Sequence, residues 1–226
     1  MFLIDTHVHT SEVSQCGKMS ARETVERYAA AGYGALIITD HYYDGYFRQF
    51  EGLRWEEQVQ HYLSGYLSAR ACGEALGVTV LLGAELRFSY TDSPNDYLLY
   101  GIDEAFLLAH PRLYDRPAAE AAALLHEQGG LLFQAHPYRP GLTREHLEYL
   151  DGVEVFNGNP RHNSHNDCAA ALARRFGLRA SSGSDCHQAV DVARGGLRLE
   201  RPVSSNAEWI EALRSGEFAL IGAEAE

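Results

Sequence analysis

Seven side chains stand out for their chemistry: His7, His9, His41, Glu85, His136, Asp185 and His187. The first two open the chain in "FLIDTHVHTSEVSQCG", spaced two apart behind a short apolar run. In an extended strand alternate side chains share a face, so His7 and His9 project together from the end of Phe2–Asp5 and can share one cation. Taken alone, the pair reads as readily as two loop histidines, or as one buried histidine bonded to a carbonyl. Where the other five fall decides between these readings.

Each follows a short apolar run. "ALIITD" ends in Asp40 and is followed by His41, "VTVLLG" leads to Glu85 in "GAEL", "LLFQA" to His136, and "LRASSG" to Asp185 and His187 in "SDCH"; "GVEVF" delivers Asn157. These runs are too short for helices and read as buried strands. Helical stretches separate them. "SARETVERYAAAGYG" has Ser20 and Glu23 at capping-box spacing and glycines behind it, and "SNAEWIEALRSG" repeats the pattern with Ser205 and Glu208 before "FALI". "WEEQVQHYLSGYLSARACGEALG" predicts one long helix, and "RPAAEAAALLHEQGG", "TREHLEYL" and "NDCAAALARRFG" predict others, while "YLLYGI" is a strand reached by a looser connection. Strand and helix in alternation predict parallel pairing through right-handed crossovers, and six or seven such units predict closure into a barrel.

In a βα barrel, strand C-terminal ends converge on one rim, where the chemistry gathers. Nearly every predicted strand delivers an imidazole or carboxylate there, whereas His61, His110, His126 and His146 lie on or beside helices and read as structural or solvated. A metal site follows. Seven donors exceed what one ion takes while keeping a position open for substrate, so two or three divalent transition metal ions are expected. Glu85, with two oxygens, is the best bridge between them, and mixed imidazole and carboxylate donors suit zinc, manganese or iron.

The bulk composition bounds the alternatives. With 226 residues, 46% of them hydrophobic, the chain can bury one sizeable core, and residues 1–226 read as a single domain. A formal net charge of −12 argues against an extended nucleic-acid surface. Cys16, Cys72, Cys168 and Cys186 show no C-x-x-C spacing, which predicts reduced thiols and a cytoplasmic address. Neither a basic leader nor an apolar run of membrane-spanning length is present, so no membrane partner is expected. The acidic end "GAEAE" reads as a frayed tail.

Five motifs in order, "DTHVHTS" at 5–11, "TDH" at 39–41, "GAEL" at 83–86, "AHP" at 135–137 and "GSDCH" at 183–187, resemble the PHP domain, named for polymerases and histidinol phosphatases. The resemblance implies a distorted (β/α)7 barrel, a trinuclear metal cluster and phosphoesterase activity. Its ligand roles fall on the seven residues already reached. Two positions depart from the family pattern. Cys16 stands where a His or Asp is usual, and its thiolate could ligate or it could be an ordinary cysteine. Asn95 and Asp96 stand where many members carry a histidine, and Asp96 could substitute through oxygen. If neither substitutes, the third metal position is weak or empty.

Other residues carry smaller expectations. Asp5 and Asp40 adjoin the histidines and could orient an imidazole, or serve as a strand-end cap or salt bridge. Arg139 could fork onto a phosphate, with Lys18 and Arg161 as weaker versions of the same role, and Asn157 could donate to a substrate oxygen or shape the turn in "NGNP".

The expected activity is hydrolysis of a small phosphomonoester, with a metal-bound hydroxide attacking phosphorus in line while Glu85 and Asp185 support it as ligands. Rival readings are a histidinol-phosphate phosphatase, a nuclease or oligonucleotide phosphodiesterase, and a barrel that binds metal without turnover. "HYYDGYFRQF" with Arg48 reads either as part of a nucleic-acid track or as a lid over a small substrate.

Overall fold

The computed structural model describes residues 1–91 and 93–222; most of the acidic tail lies outside them. Among the described residues eleven strands run in the order β1 Phe2–Val8, β2 Ala35–Ile38, β3 His41–Tyr42, β4 Thr79–Leu82, β5 Ala84–Leu86, β6 Tyr97–Tyr100, β7 Leu131–Gln134, β8 Gly152–Asn157, β9 Arg179–Gly183, β10 Gly196–Leu199 and β11 Phe218–Ile221. The helices are α1 Ala21–Ala30, α2 Asp44–Phe47, α3 Trp55–Tyr62, α4 Ser64–Leu76, α5 Glu104–Ala109, α6 Ala118–Glu127, α7 Asn166–Phe176 and α8 Asn206–Ser215. Both capping-box serines cap as expected. Ser20 Oγ accepts from Glu23 N at 3.2 Å, and Ser205 Oγ from Glu208 N at 3.3 Å.

The strands form a five-stranded sheet, β11-β10-β1-β2-β4, and a six-stranded sheet, β3-β5-β6-β7-β8-β9. Pairing is mixed, not uniformly parallel. β6 runs antiparallel to both β5 and β7, and β10 runs antiparallel to β1 and β11. The cause lies in the connections, since β5 reaches β6 without a helix and a strand needs a long crossover to pair in parallel. The short β10, "GLRL", was not anticipated. The sheets meet in two places. The path of β2 and β4 continues into β3 and β5, where Gly83 N donates to Ile38 O at 2.8 Å and Glu85 N to Asp40 O at 3.1 Å. Opposite, Val8 and Cys186 form a single parallel bridge, flanked by His9 N donating to Cys186 O at 3.0 Å. No closed ladder joins them among the described residues.

Two helical expectations are corrected. The long helix divides into α3 and α4 at Leu63, and the first turn of α4 packs closely on the residues that follow β1 and β2: a Cβ on Gly65 would lie 2.1 Å from Thr10 Oγ1 and 2.9 Å from Asp40 Oδ2. "TREHLEYL" forms only the 3₁₀ turn Leu147–Tyr149, entered through a left-handed His146 at φ 62°. The aromatic stretch at 41–50 is neither lid nor track for the most part. Tyr42, Tyr46 and Phe47 are buried in the largest core cluster, where Tyr42 and Tyr46 pack edge-on against Tyr62 and Phe47 stacks on Tyr114. Burying that much aromatic surface stabilises the fold and holds β3 in place.

No helix among the described residues is long and apolar enough to cross a membrane, and all four cysteines are free thiols.

Candidate metal centre

β1 runs further than its apolar start suggests, so His7 lies within the strand and His9 just beyond it, both buried. Their Nε2 atoms face each other at 3.1 Å. Glu85, on β5, reaches both imidazoles: Oε1 lies 3.3 Å from His7 Nε2 and Oε2 lies 3.3 Å from His9 Nε2. Glu85 Oε1 also meets His136 Nε2 at 3.0 Å, and Oε2 lies 2.8 Å from His41 Nδ1 without a hydrogen bond of good geometry. Asp185 Oδ1 stands 3.5 Å from His7 Nε2 and 3.3 Å from His9 Nε2, and 3.3 Å from His187 Nδ1. All seven expected ligands therefore converge.

Donor atoms lie within 4.8 Å of one another in four overlapping triads: His7, His9 and Asp185; His7, Glu85 and His136; His9, His41 and His187; His41, Glu85 and Asp96. Two imidazole nitrogens aimed at each other among buried carboxylate oxygens are poorly served by protons alone. A divalent cation between them satisfies all of these groups, so the donor set fits one.

The electrostatics agree. Burial opposes ionisation of Glu85, but His41 and His7 hold its carboxyl well below the usual range; His7 and Arg139 do the same for Asp185. Burial, with His187 and His41 nearby, pushes His9 well below its usual value and keeps the imidazole neutral, the form that ligates. Burial disfavours charge on His7, yet Glu154, Glu85 and Asp185 raise its pKa, so its surroundings call for a positive charge at Nε2.

Backbone geometry also marks the rim. His136 and Asp185 have φ of 30° and 51°, a left-handed region that costs a non-glycine residue on the order of 1–3 kcal/mol. Glu154 helps hold the first of these, since Oε2 accepts from His136 N at 3.0 Å.

Glu154, on β8, was not singled out from the sequence. It is fully buried, its Oε1 lies 2.9 Å from His7 Nδ1, and its Oε2 accepts from Asn157 Nδ2 at 2.9 Å. A lone acid in the middle of "GVEVF" was the available signal. Asn157 thus spends its donor on Glu154 and offers its oxygen to Arg139. Asp40 acts on His9 through a relay: Oδ1 accepts from Ser14 Oγ at 2.7 Å, and Ser14 Oγ lies 3.1 Å from His9 Nδ1. Asp5 touches no imidazole; it receives His7 N, Ser184 N and Tyr28 Oη, fixing the backbone on both sides of the seam.

The cluster forms the floor of a cavity of about 430 Å³, whose wall carries Lys18, Arg87, Arg139, Arg161 and His162. Arg139 Nη2 bonds Asp185 Oδ2 at 2.6 Å while its Nε, buried, has no partner. Arg161 is tied to Asp191, which in turn accepts from His187 N at 2.9 Å, so this arginine braces the His187 loop. Cys16 stands at the mouth. Burial works against its thiolate, but hydrogen bonds to His187 and His41 lower the thiol to about 6. Asp96 faces His41 and Glu85, yet both its oxygens are engaged by Arg87, at 2.8 Å each. Arg87 went unremarked in the sequence, although it stands two residues after Glu85 and so shares its face of the strand. His126 and His61 are structural, pairing with Asp151 at 2.7 Å and stacking on Phe50.

Residues 163–218 match the sequence model of the PHP-associated family, PHP_C. No curated protein sequence matches the chain. Among solved structures, the fold is similar to that of a two-domain protein from Bacteroides vulgatus containing a predicted PHP-like metal-dependent phosphoesterase, at TM-score 0.69 and 19% identity over 97% of this chain. It spans 64% of that protein. An amidohydrolase from Chromobacterium violaceum with bound sulfate and no metal is similar at TM-score 0.63 and 20% identity, over 98% of each chain. So is the lesion-specific endonuclease EndoQ of Pyrococcus furiosus, at TM-score 0.63 and 15% identity over 97% of this chain and 57% of the other. At these identities the structural likeness speaks for the fold, which carries more than one reaction.

Proposed function

We propose that the chain is a PHP-type metal-dependent phosphoesterase acting on a small phosphomonoester, a reading supported by the match of residues 163–218 to the PHP-associated family model and by the fold. One observation carries the reading: Glu85 and Asp185 gather five imidazoles at the floor of a cavity of about 430 Å³ whose wall carries Lys18, Arg87, Arg139 and Arg161. Three arginines and the chain's one lysine thus line that wall, which suits a compact anion. We read the two sheets as the halves of a distorted (β/α)7 barrel, residues 1–226 as one domain and the cytoplasm as its location.

His7, His9, His41, Glu85, His136, Asp185 and His187 would hold two or three divalent ions, zinc, manganese or iron, with Cys16 as a candidate further donor. Such ions supply an acidified water and neutralise charge developing on phosphoryl oxygens. The protein's own part is positioning. Glu154 fixes the tautomer and plane of His7, and Ser14, held by Asp40, does the same for His9. Arg139 lines the cavity with one nitrogen still unpartnered and would orient a phosphate, and Lys18, which lines it too, would add a point charge.

The test is hydrolysis by metal-reconstituted protein of a panel of phosphate esters that includes histidinol phosphate, nucleoside bisphosphates and short oligonucleotides. Turnover confined to small monoesters is expected. Oligonucleotide cleavage would transfer the assignment to a nuclease, and metal binding without turnover on any ester would leave a binding barrel.

A further inference from the structure

Two of the four donor triads have a guanidinium beside them, but Arg139 takes only Oδ2 of Asp185 and leaves Oδ1 facing the imidazoles, whereas in the triad of His41, Glu85 and Asp96 both oxygens of Asp96 are engaged. Arg87 Nε and Nη2 lie 2.8 Å from Asp96 Oδ1 and Oδ2, a fork-to-fork pairing that uses the favoured face of the carboxylate. Asp96 is buried, and its guanidinium partner is further placed by the ring of Tyr43, 5.9 Å away. An arginine stays protonated at any working pH, so this positive charge cannot be titrated away.

We propose that Arg87 occupies electrostatically the place of an additional metal ion, limiting the centre to the ions that the other ligands hold. The inference rests on the metal-dependent reading of the site. A divalent ion bound by the buried Asp96 would stand beside a permanently charged, half-buried guanidinium, and it would compete for the same oxygens. Neither group can be satisfied while the other is in place. Arg87 thus acts as a positioning residue that sets metal number, and it leaves Asp96 as a carboxylate neutralised by protein.

The experiment compares wild-type protein with Arg87→Met, which keeps the apolar stem against Tyr43, and with the double variant Arg87→Met/Asp96→Asn. Each is equilibrated at a fixed free manganese or zinc concentration and its metal content measured by elemental analysis, with thermal melting as the check on folding. Arg87→Met should gain about one ion per chain, and the double variant should lose that gain. Equal stoichiometry in wild-type and folded Arg87→Met overturns the inference alone, as does loss of an ion in wild-type background on Asp96→Asn. Wild-type protein that takes up no ion under any condition overturns instead the metal-dependent reading beneath it. Should Arg87→Met fail to fold, Arg87→Gln, which also removes the charge but keeps a polar head, replaces it: a bound ion count above wild type supports the proposal and an unchanged count overturns it.

Discussion

Glu154 Oε1 lies 2.9 Å from His7 Nδ1, and the same carboxylate's other oxygen takes the backbone N–H of His136. One buried acid on β8 therefore aims an imidazole from β1 and sets the backbone beneath another from the end of β7. Removing its charge should act on both. Glu154→Gln is expected to weaken metal affinity by roughly 10–100-fold while the protein still folds. Competition with a coloured chelator measures it, and unchanged affinity would show that His7 orients itself.

Asp185→Asn separates ligand charge from ligand shape. The residue has a φ of 51°, a conformation that asparagine adopts more readily than most side chains, so the backbone should hold. Turnover should fall on the order of 100-fold or more, because the centre loses a charged donor and Arg139 loses its carboxylate partner. Steady-state rates of the metal-loaded variant, read beside its melting temperature, decide the point; near-normal turnover in a folded variant removes Asp185 from the ligand set.

Cys16 should behave as a thiolate near neutrality. Its pKa is lowered to about 6 against an ordinary value near 9, so alkylation of metal-free protein should reach half its limiting rate near pH 6. Bound metal should protect it if it ligates, and Cys16→Ser should then lower metal occupancy with the fold intact. A half-point near pH 9 would return it to an ordinary surface thiol.

Asp40 carries the opposite shift. Burial raises its carboxyl to about 6, against hydrogen bonds from Thr10 and Ser14 that lower it. A folded pKa above the unfolded one gives stability that is complete below about pH 4 and lost as pH rises through about 6. Relative to Asp40→Asn, the wild-type protein should therefore lose on the order of 2–3 kcal/mol across that interval, by denaturant titration at each pH. A difference that stays flat from pH 4 to 6.5 would show that Asp40 ionises as if exposed.

Residue type and spacing made the centre legible further than they made the fold legible. Seven ligands could be read because each follows a short apolar run, and strand ends are where distant parts of a chain meet. Glu154 escaped notice because it lies within its strand, where its role depends on which strand is opposite. Arg87 escaped because a charge two residues past a ligand looks like the solvated end of a strand until Asp96 is seen across from it. The antiparallel entry of β6 escaped because a run such as "YLLYGI" has the same composition in either direction, and only the connection before it carries the sense of pairing.

The two sheets meet at the metal centre, and their ligands come from both. His7 and His9 belong to the five-stranded sheet, whereas Glu85, Glu154 and the strand leading to Asp185 belong to the other, and one hydrogen-bonded bridge at Val8 and Cys186 marks that side of the boundary. Ions bound there would serve as rivets, fastening two halves that carry little backbone pairing across the join. Stripped of them, the facing carboxylates repel and the join becomes the weakest line in the molecule. Amide exchange at His9 and Cys186 should then quicken on chelation well before the interiors of β2 or β8 respond.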